Sequence, residues 1–510
     1  MRTKNSIYNS LGNVLILLVQ TVLAFIVRIT FLKALGKELL GVHSLFTNII
    51  TMLSLADLGI SSAISFSLYK PLSDKDYEKI GIIMTLLKKI YIVIGTIVLL
   101  LGICICPFIK YIISGYSDSN IIKYFLLFFI SYVIEYFLAY PEILITADQK
   151  KYKISWIYIV SNIFTCLIQI LILKVTKSFS LYLLIDLLFR LIKFVYINLY
   201  VKSKYKKVNF SSEGKLKKTE KKGIVTNVKS LFYLRVGDYL INGTDNLLIS
   251  KIINIGTVGI YTNYLSIVSI VKNILLMALN GITSSYGNLI VKEDKKVQIN
   301  VFNIINFITF AASGLLFIGM YFLFNIFIQI VFGESYLLSG KIVFIICINF
   351  YLVSLLMPVE MVKNAAGLYK EDKFVSLIQA AINIVLSIVL GIKYGLIGIL
   401  GASTISYLLV TVWERPFIVY KKLFKEKVAD YYFDYLKKAL LLLFIFIVCG
   451  FFIRYIHLNT LLIELIVKGI IITLIYLLFI VLIYRNSTEF KYVFSLLKKN
   501  EVKNEKNNTN

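Results

Sequence analysis

The chain has 510 residues, of which 58% are hydrophobic, a mean hydropathy of +0.82 and a formal charge of +27. That composition excludes an ordinary soluble domain, which rarely exceeds about half apolar residues. On a soluble chain the charge would point to nucleic acid. On this one it reads as lysine-rich loops held against anionic lipid, with no nucleic-acid partner.

The apolar residues fall in runs of about 20 or more, enough to cross about 30 Å of hydrocarbon at 1.5 Å per residue. Only helices or closed barrels satisfy the backbone there, and these runs are too long and continuous for barrel strands. The expected fold class is an all-α polytopic membrane protein. Fourteen segments are predicted, near residues 10–33, 42–69, 81–106, 121–146, 154–175, 180–201, 225–250, 256–290, 297–331, 341–368, 374–392, 395–420, 434–455 and 459–484. The first run is too long for a secretory signal and lacks a small-residue cleavage site, so it is expected to stay as a helix.

Segment 1 contains "LVQTVLAFIVRITFLKALG", with Arg28 inside the apolar run. An arginine in hydrocarbon costs between roughly 3 and more than 10 kcal/mol, depending on how far it snorkels. Asn9, Asn13, Gln20, Ala24 and Arg28 share one face at helical spacing. Arg28 is therefore expected to face a bundle or a watery cavity. A snorkelling arginine is the competing reading, because Lys33 is close by. In segment 2, Asp57 lies mid-span before Gly59. In segment 6, Asp186 and Arg190 stand four apart and are expected to neutralise each other.

Segment 7 places Arg235, Asp238, Asn242, Asp245 and Asn246 on one face. Such residues inside a span line a pathway or pair with one another, and an Arg235–Asp238 pair is the structural alternative. Asp245 has no local cation, and Lys272 in segment 8 is a candidate partner or second cavity cation. In segment 10, Pro358 is expected to break the helical ladder. Glu360 and Lys363 beyond it have pairing distance.

The loops alternate in charge. One set, with both ends of the chain, carries 35 of the 55 Lys and Arg residues; the other carries 10. The positive-inside rule assigns the first set to the cytoplasm of a plasma (inner) membrane protein. The other loops are short, the longest being "PFIKYIISGYSDSN" at 107–120, which leaves no room outside for a catalytic domain. No GxxxxGK[ST] phosphate loop is present, and His43 and His457 lie far apart. An enzyme is therefore not expected, and neither is a cofactor or metal. The five cysteines show no zinc spacing.

The chain repeats weakly. Lys33 followed by "GVH" at Gly41 matches Lys251 followed by "GIY" at Gly259, and Asn162 matches Asn383, at offsets of 218 to 221. An even six helices per half gives both halves the same orientation, related by an axis along the membrane normal. The expected organisation is a six-helix lobe at 1–201, a basic linker at 202–224, a second six-helix lobe at 225–422, two additional helices within 423–484, and a tail at 485–510 disordered by composition. In such a fold a solute site is expected between the halves, with access alternating as they rock.

"LGKELLGVHSLFTNIITMLSLADLGISSAISFSLYKPLSDKD", "TDNLLISKIINIGTVGIYTNYLSIV" and "KNAAGLYKEDKFVSLIQAAINIVLSIVLGIKYGLIGILGASTIS" resemble polysaccharide-biosynthesis flippases of the O-antigen and capsule type. The resemblance spans most of residues 1–420. It implies a two-lobed bundle like that of multidrug exporters in the same superfamily. It also implies transport of an oligosaccharide on a polyprenyl diphosphate from the inner to the outer leaflet. A lipid-linked oligosaccharide is then the expected partner, with polysaccharide polymerase and glycosyltransferases as functional neighbours. Anionic diphosphate needs cations in the cavity. The candidate lining residues are Arg28, Arg235, Lys272, Asn13, Gln20, Asn242 and Asn246; the candidate coupling-ion or proton carboxylates are Asp57, Asp238 and Asp245. A lipid-linked peptidoglycan-precursor flippase and a cation-coupled multidrug exporter are the alternatives.

Overall fold

The structure, a computed structural model, describes residues 2–54, 60–212, 243–368, 371 and 374–495, with the backbone alone for 2–18, 60–63, 66 and 284. Among the described residues there is no strand, and 11 helices are long and apolar enough to cross a membrane. In chain order the helices are α1 (Arg2–Leu53), α2 (Ile60–Asp74), α3 (Tyr77–Ile105), the short α4 (Ile109–Ile112), α5 (Ile121–Leu138), α6 (Tyr140–Ala147), α7 (Tyr152–Val175), α8 (Phe179–Lys204) and α9 (Asp245–Ile252). They continue with α10 (Ile255–Lys292), α11 (Lys295–Phe332), α12 (Gly340–Ala365), α13 (Val375–Tyr394), α14 (Leu396–Ser406), α15 (Val412–Val419), α16 (Ala429–Ile453) and α17 (Leu461–Tyr484).

The difference between 14 expected segments and 11 spans has local causes. The first expected break falls at Gly36, whose φ of +83° is open to a residue without Cβ, so α1 holds two arms joined at a kink. The helix expected at 180–201 forms as α8, but Asp186, Arg190 and Lys193 make it too charged to count by hydropathy. Most of the segment expected at 225–250 lies outside the described residues. Elsewhere the bounds follow the apolar runs within a few residues. The expected 121–146 helix divides near Ala139, where Pro141 in the next turn brings no N–H. The helical run from Leu396 to Phe424 passes through two π turns, Tyr407–Thr411 and Tyr420–Phe424, on either side of the α15 proline Pro416.

Pro358 does not end its helix. The α12 helix runs through it to Ala365 with Pro358 buried, so the proline removes one donor without a break. Neighbouring turns on both sides hold the backbone in place, as bundle packing commonly does in membrane helices.

Two compact units divide the chain, Met1–Thr262 and Asn263–Asn510. The division falls inside α10, well beyond the basic 202–224 segment. The reason is the packing of the α9–α10 turn on the first unit. Ile255 N–H donates to the Ser114 carbonyl at 2.8 Å. A Cβ on Gly259 would lie 2.0 Å from the Lys37 carbonyl oxygen, and one on Gly41 would lie 2.1 Å from that of Ile255. Ser44 Oγ donates to Thr262 Oγ1 at 3.3 Å across 218 positions of sequence.

The core of the first unit holds Phe31, Phe46, Phe125, Phe128, Phe129 and Phe194; that of the second holds Tyr264, Tyr286, Phe302, Phe310, Phe424 and Tyr476. In the second unit, α17 docks on α11 through Tyr476, whose ring fills the space beside Gly314. The outward rows of α3, α7, α13 and α16 are largely apolar: Val93 and Ile97, Phe164 and Leu171, Val385 and Val389, Leu443 and Ile447 are all exposed. Apolar faces of that extent belong against lipid. The chain is a multi-pass membrane protein.

Candidate functional site: a polar cavity in the first unit

Gln20, Ala24 and Arg28 line one stripe of α1 and face a cavity of about 330 Å³. The spacing of four carries each side chain to the same side, as the sequence stripe predicts. The other arm of α1 contributes Leu40 and His43; α7 contributes Asn162, Thr165, Cys166 and Gln169; α8 contributes Tyr182 and Asp186. Arg28 donates from Nη2 to Thr262 Oγ1 at 2.8 Å, and Thr262 in turn donates to the Gly259 carbonyl at 3.1 Å. The guanidinium is thus turned into the unit and held, rather than extended toward Lys33.

The lining is rich in donors. Asn162 Nδ2 is buried without a hydrogen-bond partner. Such a group costs about 1–3 kcal/mol unless something accepts its hydrogen, so it points to an acceptor that binds there. Gln169 Nε2 donates to the Tyr182 carbonyl at 3.4 Å, which fixes one wall. His43 stands in a ring of aromatics, with Phe31, Phe128, Phe179 and Tyr182 at centroid distances from 4.9 to 6.5 Å.

Among the described residues Asp186 is the one carboxylate on this lining, and its charge is already engaged. Arg190 Nε donates to it at 2.8 Å and Ser131 Oγ at 3.4 Å. The i,i+4 neutralisation expected from sequence is present, and it reaches further than expected. Arg190 also lies 3.6 Å from Glu135 and stacks 4.0 Å over the Tyr132 ring. Tyr132 and Glu135 line a second cavity, of about 650 Å³, on the side of the α6–α7 turn. The Asp186–Arg190–Tyr132 stack is therefore the wall between two cavities of one unit.

The other sequence candidates fall as follows. Asp57, Arg235, Asp238 and Asn242, and the side chain of Asn13, lie outside the described residues. Asp245 and Asn246 open α9, and each has an Oδ1 that is buried without a hydrogen-bond partner. An acidic residue in the first turn is favoured by the helix dipole. Lys272 is half-buried on α10 in the second unit and does not line the Arg28 cavity. Glu360 pairs with Lys363 at 2.8 Å, as the spacing suggests, and also with Arg415, which no local spacing reveals.

Sequence reasoning passes over Asn162, His43, Tyr182, Glu135, Glu142 and Lys151 as lining residues. Asn162 and His43 carry a signal, their places in the repeat matches to Asn383 and to Tyr261. Among the described residues no group of three or more His, Cys, Asp or Glu side chains could hold a metal ion.

This fold is shared with solved transporters. The structure of the lipid II flippase MurJ in an inward closed conformation superposes with a TM-score of 0.70 at 16% identity, over 93% of this chain and 99% of that one. A multidrug resistance MATE family transporter of the MOP superfamily, inward-facing, gives 0.58 at 13% identity over 78% and 94%. A MOP superfamily transporter from Pyrococcus furiosus, described by the reverse polarity of its binding pocket, gives 0.54 at 13% over 83% and 97%. At these identities the likeness establishes the fold alone. No curated protein matches the chain in sequence. The family model for polysaccharide biosynthesis proteins matches residues 3–284, which include the whole Arg28 cavity, and the chain belongs to that family.

Proposed function

We propose that this protein flips a polyprenyl-diphosphate-linked oligosaccharide from the cytoplasmic to the outer leaflet by alternating access, for surface polysaccharide assembly. The observation that carries the reading is the donor-lined cavity of the first unit: Arg28 on one wall and the unpartnered Asn162 amide on another. A diphosphate brings acceptor oxygens and negative charge, and guanidinium is the side chain best suited to meet both. Asp186 does not cancel that charge, because Arg190 holds it. Family membership supplies the polysaccharide context. The lysine-rich loops support a cytoplasmic side for both chain ends. Arg235, Asn242 and Asn246 are proposed further lining groups, and Asp57, Asp238 and Asp245 proposed coupling carboxylates.

The second reading is a lipid-linked peptidoglycan precursor as substrate, favoured by the fold shared with the lipid II flippase. Cells lacking the gene decide between them. Under the first reading they lose surface polysaccharide and accumulate its lipid-linked unit, and the wild-type gene but not Arg28→Ala restores export. Accumulated peptidoglycan precursor with intact surface polysaccharide supports the second. Altered drug resistance with neither phenotype overturns both in favour of an exporter. Full export by the Arg28→Ala plus Arg235→Ala variant removes the cation role.

A further inference from the structure

The larger cavity of the first unit has a chemistry unlike that of its neighbour. Its volume of about 650 Å³ lies inside the range of about 300–1,000 Å³ typical of small-molecule sites. Four tyrosines line it, Tyr69, Tyr91, Tyr132 and Tyr136, together with Glu135 and Glu142 and the hydroxyls of Ser54, Ser65 and Thr146. Tyr69 is half exposed at the rim, while Tyr91 and Tyr136 are buried in the wall with ring centroids 6.3 Å apart.

The charges are fixed in place. Glu142 accepts from the Tyr158 hydroxyl at 2.5 Å and pairs with Lys151 at 3.1 Å. Glu135 leans on Arg190 at 3.6 Å, with 43% of its side chain still accessible. Among the described residues the lining carboxylates are matched by cations, Glu142 by Lys151 and Glu135 by Arg190, so the cavity offers hydroxyls and ring faces more than net charge and suits a neutral polar ligand better than a diphosphate. A metal ion is poorly served as well, because each carboxylate already has a cation.

A pyranose ring suits every part of this lining. Its C–H faces are apolar and slightly positive and pack on the negative face of a tyrosine ring. Its rim of hydroxyls donates in pairs to a carboxylate and exchanges hydrogen bonds with serine, threonine and tyrosine hydroxyls. The wall to the Arg28 cavity is one ion pair and one ring thick, Asp186–Arg190 on Tyr132. A glycolipid whose sugar is bonded directly to its diphosphate therefore finds a sugar-like and an anion-like environment side by side.

We infer that the tyrosine–carboxylate cavity of the first unit is a carbohydrate-binding subsite, which takes the pyranose rings of the glycolipid while the Arg28 cavity takes its diphosphate. This rests on the proposed flippase reading for the second half of that sentence, and the test separates the two. The full chain in lipid nanodiscs is titrated with two probes, the polyprenyl-diphosphate oligosaccharide extracted from the native cells and undecaprenyl diphosphate without sugar. Wild type binds the glycosylated probe more tightly. Tyr69→Ala and Glu135→Gln each weaken it by about tenfold, the loss of one charge-assisted or stacking contact, and leave the bare diphosphate within about twofold. Tyr69→Phe, which keeps the ring, retains most of the wild-type preference.

Equal wild-type affinity for both probes overturns the sugar subsite, and so do variants that weaken both probes equally or neither. Arg28→Ala addresses the other reading. If it leaves both probes unchanged while Tyr69→Ala still separates them, the anion role of the Arg28 cavity fails and the sugar subsite stands.

Discussion

The two units use the amide of one repeated asparagine in different ways. In the second unit it belongs to a set of buried polar side chains that bond across helices. Glu360 is held by Lys363 and Arg415, Arg415 also donates to Ser376 at 2.9 Å, and Asn349 bridges the Leu400 carbonyl and the Thr404 hydroxyl. Asn383 donates to Ser403 at 2.9 Å and has no exposed surface. In the first unit its repeat partner Asn162 faces a cavity with its amide unpartnered, beside Arg28. The same residue at the corresponding place thus ties two helices through its amide nitrogen in one unit and leaves that nitrogen unpartnered at a cavity in the other. A charge inside a membrane helix becomes a candidate for function when its surroundings contain space, and not simply because it is charged.

Four measurements break or sharpen that contrast. The largest effect is expected at Glu360. Glu360→Gln takes the shared anion from Lys363, 4% exposed, and from the half-buried Arg415, and breaking such a group costs about 3–5 kcal/mol. Thermal unfolding in detergent should fall steeply, with any transport defect following the loss of folded protein. A variant as stable as wild type would show that this cluster is not structural. Next comes Asp186→Asn, which keeps the shape but takes the charge from Arg190. A loss of about 1–3 kcal/mol is expected for this half-buried pair, along with altered glycolipid binding, because the wall between the cavities loosens.

Arg28→Gln is the converse of Glu360→Gln. Stability should change by less than about 1 kcal/mol, because a neutral donor remains for Thr262, while export in cells is lost. Unfolding as severe as that of Glu360→Gln would move Arg28 to the structural class. The smallest effect belongs to a charge in water. In the segment joining α4 and α5, the Asn120 N–H at 2.8 Å, and then the hydroxyls of Tyr116 and Tyr124, hold the Asp118 carboxyl below its usual range. A depressed folded value means that its contribution is present above the unfolded carboxylate pKa and lost as pH falls through the folded one. Hydrogen exchange of residues 116–121 should rise only below that range, and Asp118→Asn should flatten the dependence.

Much of the helical layout is readable from sequence, because a lipid solvent forces long apolar runs into helices whatever their neighbours are. The orientation of Arg28 is readable for a related reason: one helix face is a local property, and Gln20, Ala24 and Arg28 share it by spacing alone. The Asp186–Arg190 and Glu360–Lys363 pairs are likewise a turn apart. What is not readable joins distant residues. Arg415 reaches Glu360 from another helix, Thr262 receives Arg28 from 234 positions away, and Glu142 meets Tyr158 across the α6–α7 turn. No side chain alone reveals its distant partner, and only packing shows which of them enclose space. The Gly36 kink escapes notice because a glycine beside lysines reads equally as a loop.

The crossing of Gly41 and Gly259 has a meaning beyond close packing. Lys37 touches Gly259 as Ile255 touches Gly41, and Ser44 bonds to Thr262, its own counterpart 218 positions on. Reciprocal contact of this kind, in which each partner offers the other the same patch, is what a two-fold homodimer makes. These two turns of one chain meet as copies of one patch would. A side chain added to either glycine meets the backbone beside the other, so each position admits only glycine at this approach.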